Sequence, residues 1–119
     1  TRRGYLARLR KLILAGVDCS RMTQTRLRFY IGELDRQGRK VKAVCFNDVE
    51  VYLGTLYLGF TLYRTEGFWQ GAHEPSRVYE VLTLGGPDPT IVSEYLAQVC
   101  GQQTGLVTIE TVEVILCTT

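Results

Sequence analysis

The stretch Arg77-Val78-Tyr79-Glu80-Val81-Leu82-Thr83-Leu84-Gly85-Gly86-Pro87-Asp88-Pro89-Thr90-Ile91-Val92-Ser93-Glu94-Tyr95-Leu96-Ala97-Gln98-Val99-Cys100 changes its periodicity halfway along. Up to Leu84 it alternates, with Val78, Leu82 and Leu84 on one side and Tyr79, Val81 and Thr83 on the other, as a strand does. Gly85-Gly86-Pro87 breaks the chain. Asp88 then stands as an N-cap with Pro89 at the first helical position. Ile91, Val92, Tyr95, Leu96, Val99 and Cys100 follow at helical spacing, which predicts an amphipathic helix over 89–103 with Gly105 as its stop.

Working outward, Arg77–Leu84 has a neighbour at Phe60–Glu66. The intervening Gly67–Ser76, with Gly71 and Pro75, reads as a loop, so the two strands form a hairpin. Arg26–Gly32 is a further strand, with Leu27, Phe29 and Ile31 inward and Arg26, Arg28 and Tyr30 outward. Between it and the hairpin, Asn47 with Glu50 three residues on marks a capping box and a helix over 47–58. Val49, Tyr52, Leu53 and Leu56 share its face. The last strand spans 106–117, and its apolar phase shifts from Val107 and Ile109 to Val112, Val114 and Leu116, which predicts a bulge near Glu110–Thr111. The order strand–helix–strand–strand–helix–strand predicts an α+β, ferredoxin-like βαββαβ sandwich: a four-stranded antiparallel sheet with two helices on one face.

The chain has 119 residues, 45% of them hydrophobic and 22% charged, enough for one core. No apolar run reaches the roughly 20 residues of a membrane-spanning helix. Charge is uneven. Residues 1–21 hold six basic side chains against Asp18 alone, whereas residues 22–119 hold eight basic and eleven acidic ones. Residues 1–24 therefore read as a basic leader, with Leu6, Leu9 and Ile13 at helical spacing, and residues 25–119 as the domain. Thr1-Arg2-Arg3-Gly4 is only a weak match to a twin-arginine signal, because Arg8, Arg10 and Lys11 interrupt the apolar stretch such a signal needs. On this reading residues 1–21 supply no strand, and a chain beginning at Met22 keeps its fold. Cys19, Cys45, Cys100 and Cys117 form no zinc or redox motif, so a reducing, cytoplasmic setting is expected. A disulfide between two of them stays open, since spacing does not fix Cα separation.

Three segments together resemble the PII-like superfamily, in particular its uncharacterised ferredoxin-like branch: Tyr30-Ile31-Gly32-Glu33, Gly59-Phe60-Thr61-Leu62-Tyr63-Arg64-Thr65-Glu66-Gly67-Phe68, and Gly105-Leu106-Val107-Thr108-Ile109-Glu110-Thr111-Val112-Glu113-Val114. The resemblance covers most of residues 26–116. It implies a homotrimer binding nucleotides or other small anions in clefts between subunits. The loop over 67–76 is shorter than the flexible loop with which regulatory PII proteins engage partners. A second ferredoxin-like family shares Gly59-x-Thr61, Gly67-x-Trp69 and Glu74-x-Ser76-x-Val78.

The candidate ligand site gathers Arg64 for a phosphate or carboxylate, Trp69 for stacking, and Thr65, Glu66 and His73 as polar contacts. A solvated turn with Trp69 packed at an interface is the plainer account of the same residues. No catalytic constellation, metal-ligand spacing, Walker loop or cofactor motif is present. The alternative function is RNA binding through the basic leader and an open sheet face carrying Tyr30, Tyr63 and Tyr79. Arg77-Val78-Tyr79-Glu80-Val81 lacks the glycine and paired aromatics of an RNA-recognition strand, so oligomeric ligand binding ranks first.

Overall fold

The structure is a computed structural model that describes residues 2–4, 6–8 and 18–118; the side chains of Asp18 and Trp69 lie outside that description. The elements are β1 (Asp18–Gly32), α1 (Ala43–Leu56), β2 (Thr61–Trp69), β3 (Ala72–Thr83), α2 (Pro89–Val99) and β4 (Leu106–Thr118). The strands form one antiparallel sheet in the order β2-β3-β1-β4. Residues 2–4 and 6–8 are helical and exposed, and Leu9 and Ile13, on which the amphipathic reading of the leader also rests, lie outside the described residues.

One face of the sheet meets both helices. Leu27, Phe29 and Ile31 of β1 and Tyr79 and Val81 of β3 join Phe46, Val49 and Leu53 of α1, Val92 and Leu96 of α2, and Cys100 just beyond it in a single core. Register explains the set, because Leu27 opposes Val81 and Phe29 opposes Tyr79, which puts all four on the same side. Burying each large apolar side chain contributes roughly 1.5–3 kcal/mol, so this face dominates the energetics. Val78 is also 0% exposed although it lies on the other face, flanked in register by Tyr30 and Tyr63.

α2 begins where its signal stands: the Asp88 carboxylate accepts a hydrogen bond from the Thr90 amide at 3.0 Å, with Pro89 first in the helix. Its stop lies earlier than Gly105. The helix ends at Val99, and Gly101, at φ 62°, supplies the left-handed residue just beyond it. α1 corrects a second boundary, since it starts at Ala43 with no side-chain cap rather than at Asn47. Core packing overrides the capping signal there, because a helix running from Ala43 presents Phe46 to the core. Glu50 is thereby freed from capping and accepts from the Tyr79 hydroxyl instead.

Three expectations about the strands also fail. The segment 67–76 is not a loop: β2 runs to Trp69, β3 resumes at Ala72, and Gln70 and Gly71 alone make the turn. Both have positive φ, 50° and 79°, the handedness that matches the twist of a two-residue hairpin. Pro75 read as a breaker, yet it sits in β3 opposite Glu66, and its carbonyl accepts from the Glu33 amide. There is no bulge at Glu110–Thr111 either, for the β1–β4 register is unbroken from Tyr30–Leu106 to Asp18–Thr118. The apolar phase shifts because the strand passes beyond the rest of the sheet, so Val112 and Val114 face the opposite side from Val107. β1 is accordingly longer than 26–32, and residues 18–21 are strand, contrary to the reading that residues 1–21 supply none.

Candidate functional site

The β2–β3 hairpin distributes the candidate residues by parity. Arg64, Glu66 and Phe68 alternate onto the helix-layer side, whereas Thr65 faces away, its hydroxyl 2.8 Å from that of Ser76. Near the turn, His73 Nε2 is 3.8 Å from Glu66 Oε2, and the His73 ring lies 5.4 Å from the Phe68 ring. That pair is exposed. Trp69 belongs to β2, and its side chain is outside the description. Among the described side chains the expected site residues fall into separate groups: Arg64 lies in one cluster, Glu66 with His73 makes a second, and Thr65 lies on the other face.

The Arg64 cluster contains residues that the sequence reading left out. Arg64 directly opposes Arg77 across the strands. Two guanidiniums side by side repel unless carboxylates lie between or beside them. Here Glu33 Oε1 lies 4.0 Å from Arg64 Nε and 3.8 Å from Arg77 Nε, and Glu50 Oε2 lies 3.7 Å from Arg77 Nη1. These are ion-pair separations, too long for hydrogen bonds. Arg77 is only 17% exposed at its side chain, its guanidinium lies 3.8 Å over the Phe46 ring, and its buried Nε has no hydrogen-bond partner. Tyr79 completes the group, donating to Glu50 at 2.9 Å. Burial, and then this bond to a carboxylate, raise the Tyr79 hydroxyl well above its ordinary pKa, so it remains a donor. The spacing of Glu33, Glu50 and Arg77 in sequence carries no hint of this meeting, which depends on α1 crossing the ends of β1 and β3.

The open face is organised differently. Arg28 donates to Glu80 at 2.8 Å and to Glu110 at 3.0 Å, and Arg26 donates to Glu110 at 2.9 Å. The Arg26 hydrogen bond is the main cause holding the Glu110 carboxyl below its usual range. Tyr30 and Tyr63 are half-buried there, but Tyr79 is on the helix side with 0% exposure, which removes it from any aromatic platform. A shallow depression of about 280 Å³ lies nearby, lined by Gly59, Phe60, Thr61, Glu80 and Leu82, and it includes none of the candidate residues.

Thiol chemistry and metals find little purchase. Burial pushes the Cys100 thiol up to about 12, so it stays protonated at neutral pH. Among the described residues, no group of three His, Cys, Asp or Glu side chains is placed to hold a metal ion. Cys19 and Cys117, whose pairing the sequence spacing left open, are joined by a disulfide across directly opposed positions of β1 and β4.

No family model matches the chain, and no curated protein sequence does. Among solved structures it is similar to a phage SAM lyase in complex with S-methyl-5′-thioadenosine, with a TM-score of 0.52 and 13% identity, over 76% of this chain and 88% of that one. At that identity the likeness concerns the fold alone.

Proposed function

We propose that the chain is an oligomeric small-ligand-binding module of PII-like type, built on a ferredoxin-like sandwich, with Arg64 and Arg77 anchoring an anionic ligand group. The order β2-β3-β1-β4 supports the fold reading, since taken from the other edge it is β4-β1-β3-β2, the arrangement of a βαββαβ sandwich. One observation carries the site: two arginines stand directly opposed on the hairpin, and the buried Nε of one has no hydrogen-bond partner. A carboxylate or phosphate oxygen inserted there supplies the acceptor that Glu33 and Glu50 do not reach. Three copies, with the site near a subunit boundary, follow from the family resemblance. A two-residue turn in place of a long loop leaves the hairpin no segment for engaging a partner, which limits the proposal to ligand binding.

RNA binding is the less supported reading. The open-face arginines already hold carboxylates, and Tyr79 is in the core. The test is mass-resolved sizing followed by a thermal-shift panel of nucleotides and nucleosides. SAM and S-methyl-5′-thioadenosine belong on it because the structural neighbour is a SAM lyase in complex with S-methyl-5′-thioadenosine. A trimer with a ligand-dependent rise in melting temperature is the expected result; a monomer retained on single-stranded RNA overturns it. Loss of SAM on incubation with the protein would make the chain an enzyme instead.

A further inference from the structure

β1 and β4 continue together past the rest of the sheet. The last β1–β3 pair is Thr25–Thr83, yet β1 still pairs with β4 out to Asp18–Thr118. Residues 18–24 and 112–118 thus form a two-stranded ribbon, and none of its described side chains is fully buried. Such a ribbon is marginal in water, since two strands without a third or a helix bury too little apolar surface. Its cross-strand ion pair, Arg21–Glu113 at 3.2 Å, is exposed at both ends and adds little. What remains to hold the strands together is the Cys19–Cys117 disulfide, one pair from the ribbon's outer end.

We infer that Cys19 and Cys117 form a redox-reversible clasp, a thiol–disulfide exchange site for small cellular thiols, which decides whether the ribbon is paired or frayed. Cys117 is exposed and Cys19 is half-buried, so a small thiolate reaches the bond. Its attack on one sulfur forms a mixed disulfide, while the other cysteine leaves as a thiolate and takes up a proton. A second small thiolate then attacks the sulfur of the first, forming the small disulfide and releasing the remaining cysteine as a thiolate that is protonated in turn. Two small thiols become one small disulfide, and the protein gains two electrons and two protons. The core does not take part, because its members begin at Leu27 and the other two cysteines, Cys45 and Cys100, lie outside the ribbon. The state of the clasp therefore governs whether residues 18–24 stay paired with residues 112–118. This inference stands apart from the ligand proposal.

The experiment is hydrogen exchange read by mass spectrometry on the whole chain, after treatment with oxidised glutathione and again after dithiothreitol. Amides of 18–24 and 112–118 should exchange at least tenfold faster in the reduced protein, losing most of their protection, while those of 27–31 and 79–81 remain protected. Cys19→Ser should show the fast pattern under both treatments. Alkylation of the oxidised protein in denaturant should label two cysteines, and of the reduced protein four. Equal ribbon exchange in the two states, four free thiols after oxidised glutathione, or a loss of protection throughout the chain on reduction would each overturn the clasp.

Discussion

Arg64 and Arg77 show how differently two opposed side chains of one type are held. Arg64 is 71% exposed, and its one carboxylate neighbour is 4.0 Å away, so Arg64→Ala should change stability by no more than about 0.5 kcal/mol. Arg77 stacks on Phe46 and sits between Glu33 and Glu50, so Arg77→Ala strips two half-buried carboxylates of their cation and should cost about 1–3 kcal/mol. Urea denaturation of both variants checks the contrast, and equal losses would mean that the cluster is not organised around Arg77. Ligand binding gives the complementary test. Arg64→Lys keeps charge but not the planar pair of donors, so calorimetric affinity for any ligand from the panel should fall by about 1–3 kcal/mol with folding intact. Unchanged affinity would remove Arg64 from the site. Tyr79 adds a pH dependence of definite sign. Its folded pKa is raised above the unfolded value of 10.0, so the folded state binds that proton more tightly. The associated stability is complete below pH 10 and is lost as pH rises above it. Denaturation midpoints taken from pH 8 to 11 should fall more steeply for the wild type than for Tyr79→Phe.

The elements divide into those held by a local signal and those held by their neighbours. α2 has its cap in place, and Asp88→Ala should cost about 0.5–2 kcal/mol, read as a lowered melting temperature. α1 has none, so its stability rests on Phe46, Val49 and Leu53. Leu53, at 0% exposure, should cost about 2–5 kcal/mol when cut back to alanine. The β2–β3 turn carries a correctable defect. Gln70 holds φ 50°, a conformation that penalises most side chains and that asparagine tolerates. Gln70→Asn should therefore stabilise the protein by up to about 1 kcal/mol, and a variant no more stable than wild type would point to a turn already relaxed by other contacts.

At the scale of the whole molecule the shape is elongated. The radius of gyration is 17.9 Å and the extents are 57 × 30 × 23 Å, whereas a compact domain of this length has a radius near 13.5 Å. The ribbon adds roughly 20 Å of length at the usual rise per strand residue. Its disulfide joins positions 98 apart in sequence and so constrains nearly the whole unfolded chain. Opening it by Cys117→Ser should lower stability by about 2–5 kcal/mol under oxidising conditions and leave the reduced protein unaffected. A chain beginning at Met22 loses four residues of β1, Cys19 among them, but no core side chain, so it should fold with the same deficit as Cys117→Ser. A much larger loss would show that the residues before Met22 pack against the domain or against another subunit.

Local patterns in the chain were sufficient for the order of the elements and for the inward faces of β1, α1 and α2. Leu27, Phe29 and Ile31 alternate, Val92 and Leu96 recur at helical spacing, and Asp88-Pro89 announces its helix, because each of these is written in residues a few positions apart. Tertiary structure decided whatever depends on which distant residue lies opposite. It carried β3 through Pro75 and lengthened β1 back to Asp18, because cross-strand pairing outweighs a local breaker. It turned Tyr79 inward toward Glu50, since the face of a strand matters only once helices cover one side. It also brought Arg77 between Glu33 and Glu50, and Cys19 against Cys117 across 98 positions. A charge or a thiol has no periodicity that marks its partner, so the register of the sheet had to assign it.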